Sequence, residues 1–137
     1  MSSPHDADSF GRTALHYACA DNDPQLCRRL LSEGADPNSR DRDSWTPLHF
    51  AAQASSLELV DLLLTSGADH RLCDCHGNTP LARAVFSSRG EGAVIARLLK
   101  AGADPHIENK HGISPLKLAQ SIGNYNVAQF FDGIAAG

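Results

Sequence analysis

The sequence predicts an all-α fold, a solenoid of helix-turn-helix units joined by β-hairpin loops. Three observations predict it. A phrase recurs, as TALHYACADNDPQLCRRLLSEGADP at 13–37, TPLHFAAQASSLELVDLLLTSGADH at 46–70, TPLARAVFSSRGEGAVIARLLKAGADP at 79–105 and, shortened, SPLKLAQSIGNYNVAQFF at 114–131. The copies keep register: Thr13 to Thr46, Thr46 to Thr79 and Gly34 to Gly67 are each 33 residues, whereas Thr79 to Ser114 and Gly67 to Gly102 are 35. Each copy carries short apolar stripes that no single unit can bury, and repeats of this length signify stacked supersecondary units.

The second unit justifies each element in turn. Thr46 is a good N-cap, its hydroxyl able to accept from a first-turn amide. Pro47 follows at the first helical position, where a missing N–H costs nothing. Leu48, Ala51 and Ala52 give a short helix its apolar face, and Ser55-Ser56 interrupts it. Leu57, Val60, Leu63 and Leu64 are spaced as the buried stripe of a second helix. Gly67 suits the left-handed position that ends that helix. The polar run through Asp74 and Gly77 to Thr79 reads as a tight turn or hairpin. The pattern predicts eight helices in four antiparallel pairs, with repeats at about 8–40, 41–73, 74–108 and 109–133 in a single domain, 1–137. The two extra residues of unit three fall within 87–92, SSRGEG, where glycines favour a longer and more mobile interhelical loop.

Composition narrows the function classes. The 137 residues are 42% apolar, enough for a continuous core. A net charge of -4 and a pI near 5.9 argue against a nucleic-acid face. No apolar run is long enough to span a membrane, and residues 1–7 lack the apolar stretch of a secretory signal. The expectation is a cytoplasmic monomer with reduced cysteines, Cys19 and Cys27 packing as small hydrophobes.

The residues resemble the ankyrin repeat, D-x-x-G-x-T-P-L-H-x-A-A followed by L-L-x-x-G-A-D. The pattern stands as Asp8, Gly11, Thr13, Ala14, Leu15, His16, Ala18, Cys19 in unit one and as Asp41, Ser44, Thr46, Pro47, Leu48, His49, Ala51, Ala52 in unit two. Unit three has Asp74, Gly77, Thr79, Pro80, Leu81, Ala82, Ala84, and unit four has Asn109, Gly112, Ser114, Pro115, Leu116, Lys117, Ala119. The likeness covers about residues 8–133. Departures are Ser44 for a turn glycine, Ala82 and Lys117 for the histidine, and a fourth unit without Gly-Ala-Asp, as suits a terminal cap.

Candidate chemistry is sparse. The resemblance implies that His16 and His49 hydrogen-bond hairpin backbone, and no nucleophile pairs with them. Asp36, Asp69 and Asp104 read as loop-shaping residues. Cys73-Asp74-Cys75-His76, with His106 and His111 one unit on, suggests half a zinc site. Its Cys-x-Cys-His spacing is wrong for one, so no metal and no cofactor is expected. No phosphate loop, nucleophile elbow or His-Glu-x-x-His motif is present, and no catalysis is expected.

The resemblance also implies which positions are free to line a concave groove. The expected partner-binding residues are Phe10, Arg12, Arg42, Asp43, Trp45, His76, Asn78 and His111 on the hairpins. On the inner helices they are Asp21, Gln53 and Phe86, with Ile122 beyond them. Trp45 is the sole tryptophan, and aromatics with arginines are typical binding anchors. Trp45 is expected on the rim, where truncation would barely affect stability. Phe10 at the stack's end and Phe86 beneath the insertion have packing alternatives. The function expected is a non-catalytic protein-protein interaction module that binds and inhibits or masks a partner, of immunity or inhibitor type. An adaptor or scaffold is the alternative, and a metal- or redox-responsive sensor built on Cys73 and Cys75 is a further one.

Overall fold

The computed structural model describes residues 6–88 and 92–121. Among the described residues seven helices follow one another: α1 (Ala14–Ala20), α2 (Pro24–Ser32), α3 (Pro47–Gln53), α4 (Leu57–Thr65), α5 (Pro80–Ser87), α6 (Ala93–Lys100) and α7 (Pro115–Ser121). They pair as α1 with α2, α3 with α4 and α5 with α6. The first helices, α1, α3, α5 and α7, stack in one layer, and α2, α4 and α6 stack in a second. The expected eighth helix and Ile122 lie outside the described residues.

Local chemistry fixes many of the helix ends. Thr13, Thr46 and Thr79 hold extended backbone at the N-caps of α1, α3 and α5. The Thr46 and Thr79 hydroxyls accept from the amides of His49 and Ala82. Asp23 and Ser56 cap α2 and α4 in the same way, accepting from Leu26 and Leu59. At the other end, Gly67 has φ +98°. The amide of Ala68 donates to the Leu63 carbonyl and that of Gly67 to Leu64, the double closure that left-handed glycine permits. Gly34-Ala35 and Gly102-Ala103 repeat this on α2 and α6.

Between the layers runs one core. Leu15, Leu48 and Leu81 are wholly buried at the equivalent place in successive units, with Ala18, Ala51 and Ala84 beside them. The second-helix stripe differs from expectation. It consists of Leu59, Val60 and Leu63, with Leu64 only partly covered, while Leu57 is 44% exposed. The cause is the start of α4: Leu57 is its first residue, directly after the Ser56 cap, and it shares its side of the helix with exposed Asp61. Cys19 and Cys27 are buried in the core as small hydrophobes. Contact with the Cys27 thiol, reinforced by burial, pushes the Cys19 thiol well above its ordinary pKa.

The connections between units are braced turns; among the described residues none is assigned as a strand. Asp8, Asp41, Asp74 and Asn109 each accept two backbone amides through Oδ1, from the residues two and four positions on. Successive turns then join by one backbone bond apiece: Arg42 to the Phe10 carbonyl, Cys75 to Asp43, and Lys110 to His76. Asp36, Asp69 and Asp104 shape the shorter loops, accepting from the amides of Asn38, Arg71 and His106. In unit three α5 ends at Ser87 and α6 begins at Ala93, whereas in unit two α3 ends at Gln53 and α4 begins at Leu57. The extra length and the mobile loop were expected within 87–92, of which 89–91 lie outside the described residues.

Candidate protein-binding groove

The histidines tie each first helix to the next turn. In His16, Nδ1 accepts from the Thr13 amide at 3.0 Å while Nε2 donates to the Trp45 carbonyl at 2.9 Å. In His49, Nδ1 accepts from Thr46 at 3.2 Å and Nε2 donates to the Asn78 carbonyl at 2.9 Å. These partners require the neutral ring with its proton on Nε2. Burial lowers the pKa of both rings. The unit bearing Ala82 has no such tie; there Asn109 Nδ2 donates to Asn78 Oδ1 at 3.0 Å.

The histidine ties place the carbonyls of Trp45 and Asn78, and with them the groove wall. The Trp45 ring lies 4.8 Å from Phe50 and 5.6 Å from His49, centroid to centroid. The Arg83 guanidinium stacks on it at 4.6 Å. On the other side Arg12 lies over Phe50 at 5.5 Å and over Phe10 at 5.2 Å. The result is an unbroken ladder of rings and guanidiniums across three units, of a kind in which stacking is reinforced by the quadrupoles of the rings.

Both guanidiniums are anchored by a turn aspartate. Arg12 Nε meets Asp41 Oδ2 at 3.3 Å, and Arg83 Nη2 meets Asp74 Oδ2 at 3.0 Å. Burial alone would raise the pKa of Asp74. The hydrogen bonds from Asn78, Arg83 and His76 outweigh it and hold the carboxyl below its ordinary value. Tyr17 takes the matching place in unit one, its hydroxyl donating to Asp8 Oδ2.

Two cavities open along this wall. The larger, about 440 Å³, is lined by Arg12, Asp41, Asp43, Trp45, Phe50, Gln53, Cys75, His76 and Arg83. The smaller, about 180 Å³, is lined by Asn78, Ala82, Arg83, Phe86, Asn109, Ile113, Ser114 and Leu118. Arg83 belongs to both. Of the residues picked from sequence, Arg12, Asp43, Trp45, Gln53 and His76 meet in the first cavity, and Asn78 and Phe86 in the second. Phe10 joins through its contact with Arg12, and His111 stacks on His76 with ring centroids 6.4 Å apart. Arg42 and Asp21 are exposed and line neither cavity, Asp21 at the C-terminal end of α1.

The structure corrects one expectation here. Trp45 is half-buried and packed on three neighbours instead of standing free on the rim. The reason is local: Phe50 on α3 meets the indole at 4.8 Å, tilted by 51°, and Arg83 on α5 reaches over it at 4.6 Å. Phe86 is 68% and Phe10 59% exposed, so neither takes the packed place open to it. Phe50 and Arg83 were missed. Both occupy the position after the histidine in the repeated phrase, where Tyr17, Phe50 and Arg83 recur at 33 residues. That in-phase variability was the available signal.

The Cys73–His76 segment gathers no metal-ligand set: among the described residues no three His, Cys, Asp or Glu side chains converge. Cys73 donates to the Arg71 carbonyl, and burial raises its pKa.

Paired short helices stacked in two layers, joined by Asx-braced turns and carrying a ring-lined groove, define a helical repeat protein of the protein-binding class. The comparison with known families agrees. A model described as ankyrin repeats, in three copies, matches residues 15–109, most of the chain. The chain belongs to the ankyrin-repeat family, whose members are protein-interaction modules and generally non-catalytic. No curated protein matches it. Among the described residues no helix is long and apolar enough to cross a membrane.

Proposed function

We propose that this chain acts by occupancy: it binds a partner protein across the groove centred on Trp45 and thereby inhibits or masks that partner, without catalysis of its own. The observation that carries the reading is the pre-built groove wall. Trp45, Phe50, Arg12 and Arg83 are already fixed against one another by ring contacts and by two buried aspartates. A wall ordered before binding loses little side-chain freedom when a partner docks. Aromatic and arginine side chains around a cavity of about 440 Å³ are the residue types that dominate interface energetics.

The test is capture of the partner from native lysate, followed by calorimetry and an assay of the partner's own activity. Trp45→Ala should weaken binding by about 2 kcal/mol, roughly thirtyfold. Phe86→Ala is the cleaner companion, because an exposed ring can be removed without opening the core. It should weaken binding while leaving the melting temperature in place. Partner activity should fall in step with occupancy. Full activity in a saturated complex would replace inhibition with an adaptor role.

A further inference from the structure

Asp43 carries the charge left over in the groove wall. Arg12 meets Asp41 Oδ2 at 3.3 Å and Arg83 meets Asp74 Oδ2 at 3.0 Å, so each guanidinium has its own carboxylate. Asp41 and Asp74 are buried, and their Oδ1 atoms accept from turn amides. Asp43 lines the same cavity but is exposed. Among the described residues its carboxylate enters no ion pair and no hydrogen bond. Its backbone is nevertheless held on both sides. The Asp43 amide donates to Asp41 Oδ1 at 2.9 Å, and the Asp43 carbonyl accepts from the Cys75 amide at 2.9 Å. The turn therefore presents a fixed backbone bearing an unmatched carboxylate.

The balance of charge selects the group that fits. Around the first cavity the carboxylates of Asp41, Asp43 and Asp74 stand against two guanidiniums, an excess of one negative charge, on a chain whose net charge is -4. A cation entering the cavity finds an unmatched partner in Asp43, and the field of an acidic chain draws a basic segment towards it. An incoming carboxylate would add to the excess. An apolar side chain would strip water from Asp43 and return no hydrogen bond. The rest of the cavity suits a long basic side chain. Lysine and arginine lay their stems along apolar surface and keep the charged head among polar groups. Trp45 and Phe50 supply the first, Asp43 and Gln53 the second, in a volume of about 440 Å³.

Resting on the groove reading, we infer that the partner protein inserts a lysine or arginine into the first cavity, with its stem against Trp45 and Phe50 and its charged head on the Asp43 carboxylate. Asp43 is then the residue that sets the partner's charge.

The probe is a phage-displayed library of random linear peptides selected on the whole protein, with enriched peptides synthesised and titrated. A consensus with a fixed Lys or Arg is expected. Affinity should fall at least about threefold between about 0.05 and 0.5 M salt, since screening acts on exposed charges. Asp43→Asn keeps the size of the side chain and removes its charge. It should weaken binding about fivefold, the upper range for an exposed ion pair, and reduce the salt dependence. The melting temperature should not move, because the carboxylate braces nothing in the free protein. Glu33→Gln makes the same change of charge at the end of α2, away from both cavities, and should leave affinity within about twofold, as a distant exposed charge does. Equal losses in Asp43→Asn and Glu33→Gln would overturn the inference, leaving only the field of the whole chain. A consensus without a basic residue, or full affinity in Asp43→Asn, would also overturn it, and the groove reading would stand as long as Trp45→Ala weakens binding. Peptides that bind Trp45→Ala as tightly as wild type would overturn both, and so would a selection that enriches nothing.

Discussion

At the scale of single residues, the turn position shared by Gly11, Ser44, Gly77 and Gly112 is the most revealing. All four have positive φ, +62° at Ser44. A Cβ at Gly11 or Gly77 would stand 3.0 or 3.1 Å from backbone of the following turn, while at Gly112, the last of the series, nothing lies within 4 Å. Ser44 therefore carries a side chain at a left-handed position where two of its three counterparts could take one only if the neighbouring backbone gave way by a few tenths of an ångström. Left-handed backbone costs a non-glycine residue roughly 1–2 kcal/mol, so Ser44→Gly should raise stability by about 1 kcal/mol, measured by chemical denaturation. The same geometry separates two alanine substitutions. Gly77→Ala combines the backbone cost with a clash against Asn109, whereas Gly112→Ala has the backbone cost alone, so the first should be the more destabilising. Equal losses would mean that the turns do not pack as closely as these distances require. The serine's anomaly was plain in the sequence, because a repeat supplies its own standard of comparison. The 3.0 Å approach between turns was not, because it depends on the pitch of the stack.

At the scale of helices, the alternation of caps, stripes and terminal glycines was legible because each depends on chemistry within a few residues. The Thr-Pro starts and the Gly-Ala ends stand where expected. The misplacement of Leu57 has a different origin. A leucine-rich run such as LELVDLLLT satisfies several helical phases at once, and only the neighbouring α3, α2 and α6 decide which face is covered. Leu63 satisfies every phase and is wholly buried. Leu63→Ala should cost about 2–5 kcal/mol through the cavity it opens, whereas Leu57→Ala should stay within roughly 0.5 kcal/mol, as at ordinary surface sites. A paired denaturation series tests this, and equal losses would return Leu57 to the core. The groove was legible in part for the same reason. Turn residues could be read off the repeat, but the contacts of Trp45 with Phe50 and Arg83 span two adjacent units, and only the in-phase variability of the position after the histidine pointed to them.

At the scale of the whole molecule, the two histidine ties make stability depend on pH in a position-specific way. His16 and His49 have lowered pKa values because burial disfavours the imidazolium. Asp41 and Arg12 act on His16, and Asp74, Arg83 and Arg40 on His49, as smaller influences of mixed sign. A histidine with a depressed folded pKa leaves stability intact above the unfolded value of about 6.5. As pH falls below that value the unfolded chain takes up protons that the folded chain refuses. Stability then declines by up to about 1.4 kcal/mol per pH unit for each ring until the folded value is reached. The depressed carboxyls of Asp8, Asp69 and Asp74 withdraw their contribution only lower, below about pH 4. Between pH 6.5 and 4.5 the loss therefore falls on the joints between units one and two and between units two and three. The joint between units three and four has Ala82 in place of the histidine, and its Asn109–Asn78 bond does not titrate. In a stack where each unit touches only its neighbours, such a local loss remains local. Hydrogen exchange at pH 7 and pH 5, corrected for intrinsic rates, should show protection falling first at the turns carrying Trp45 and Asn78, with the Asn109–Ile113 turn holding. His49→Gln should flatten the pH slope at the Asn78 turn alone. Uniform loss of protection along the chain would mean that the units open together, and that the histidine ties do not divide the stack into separable joints.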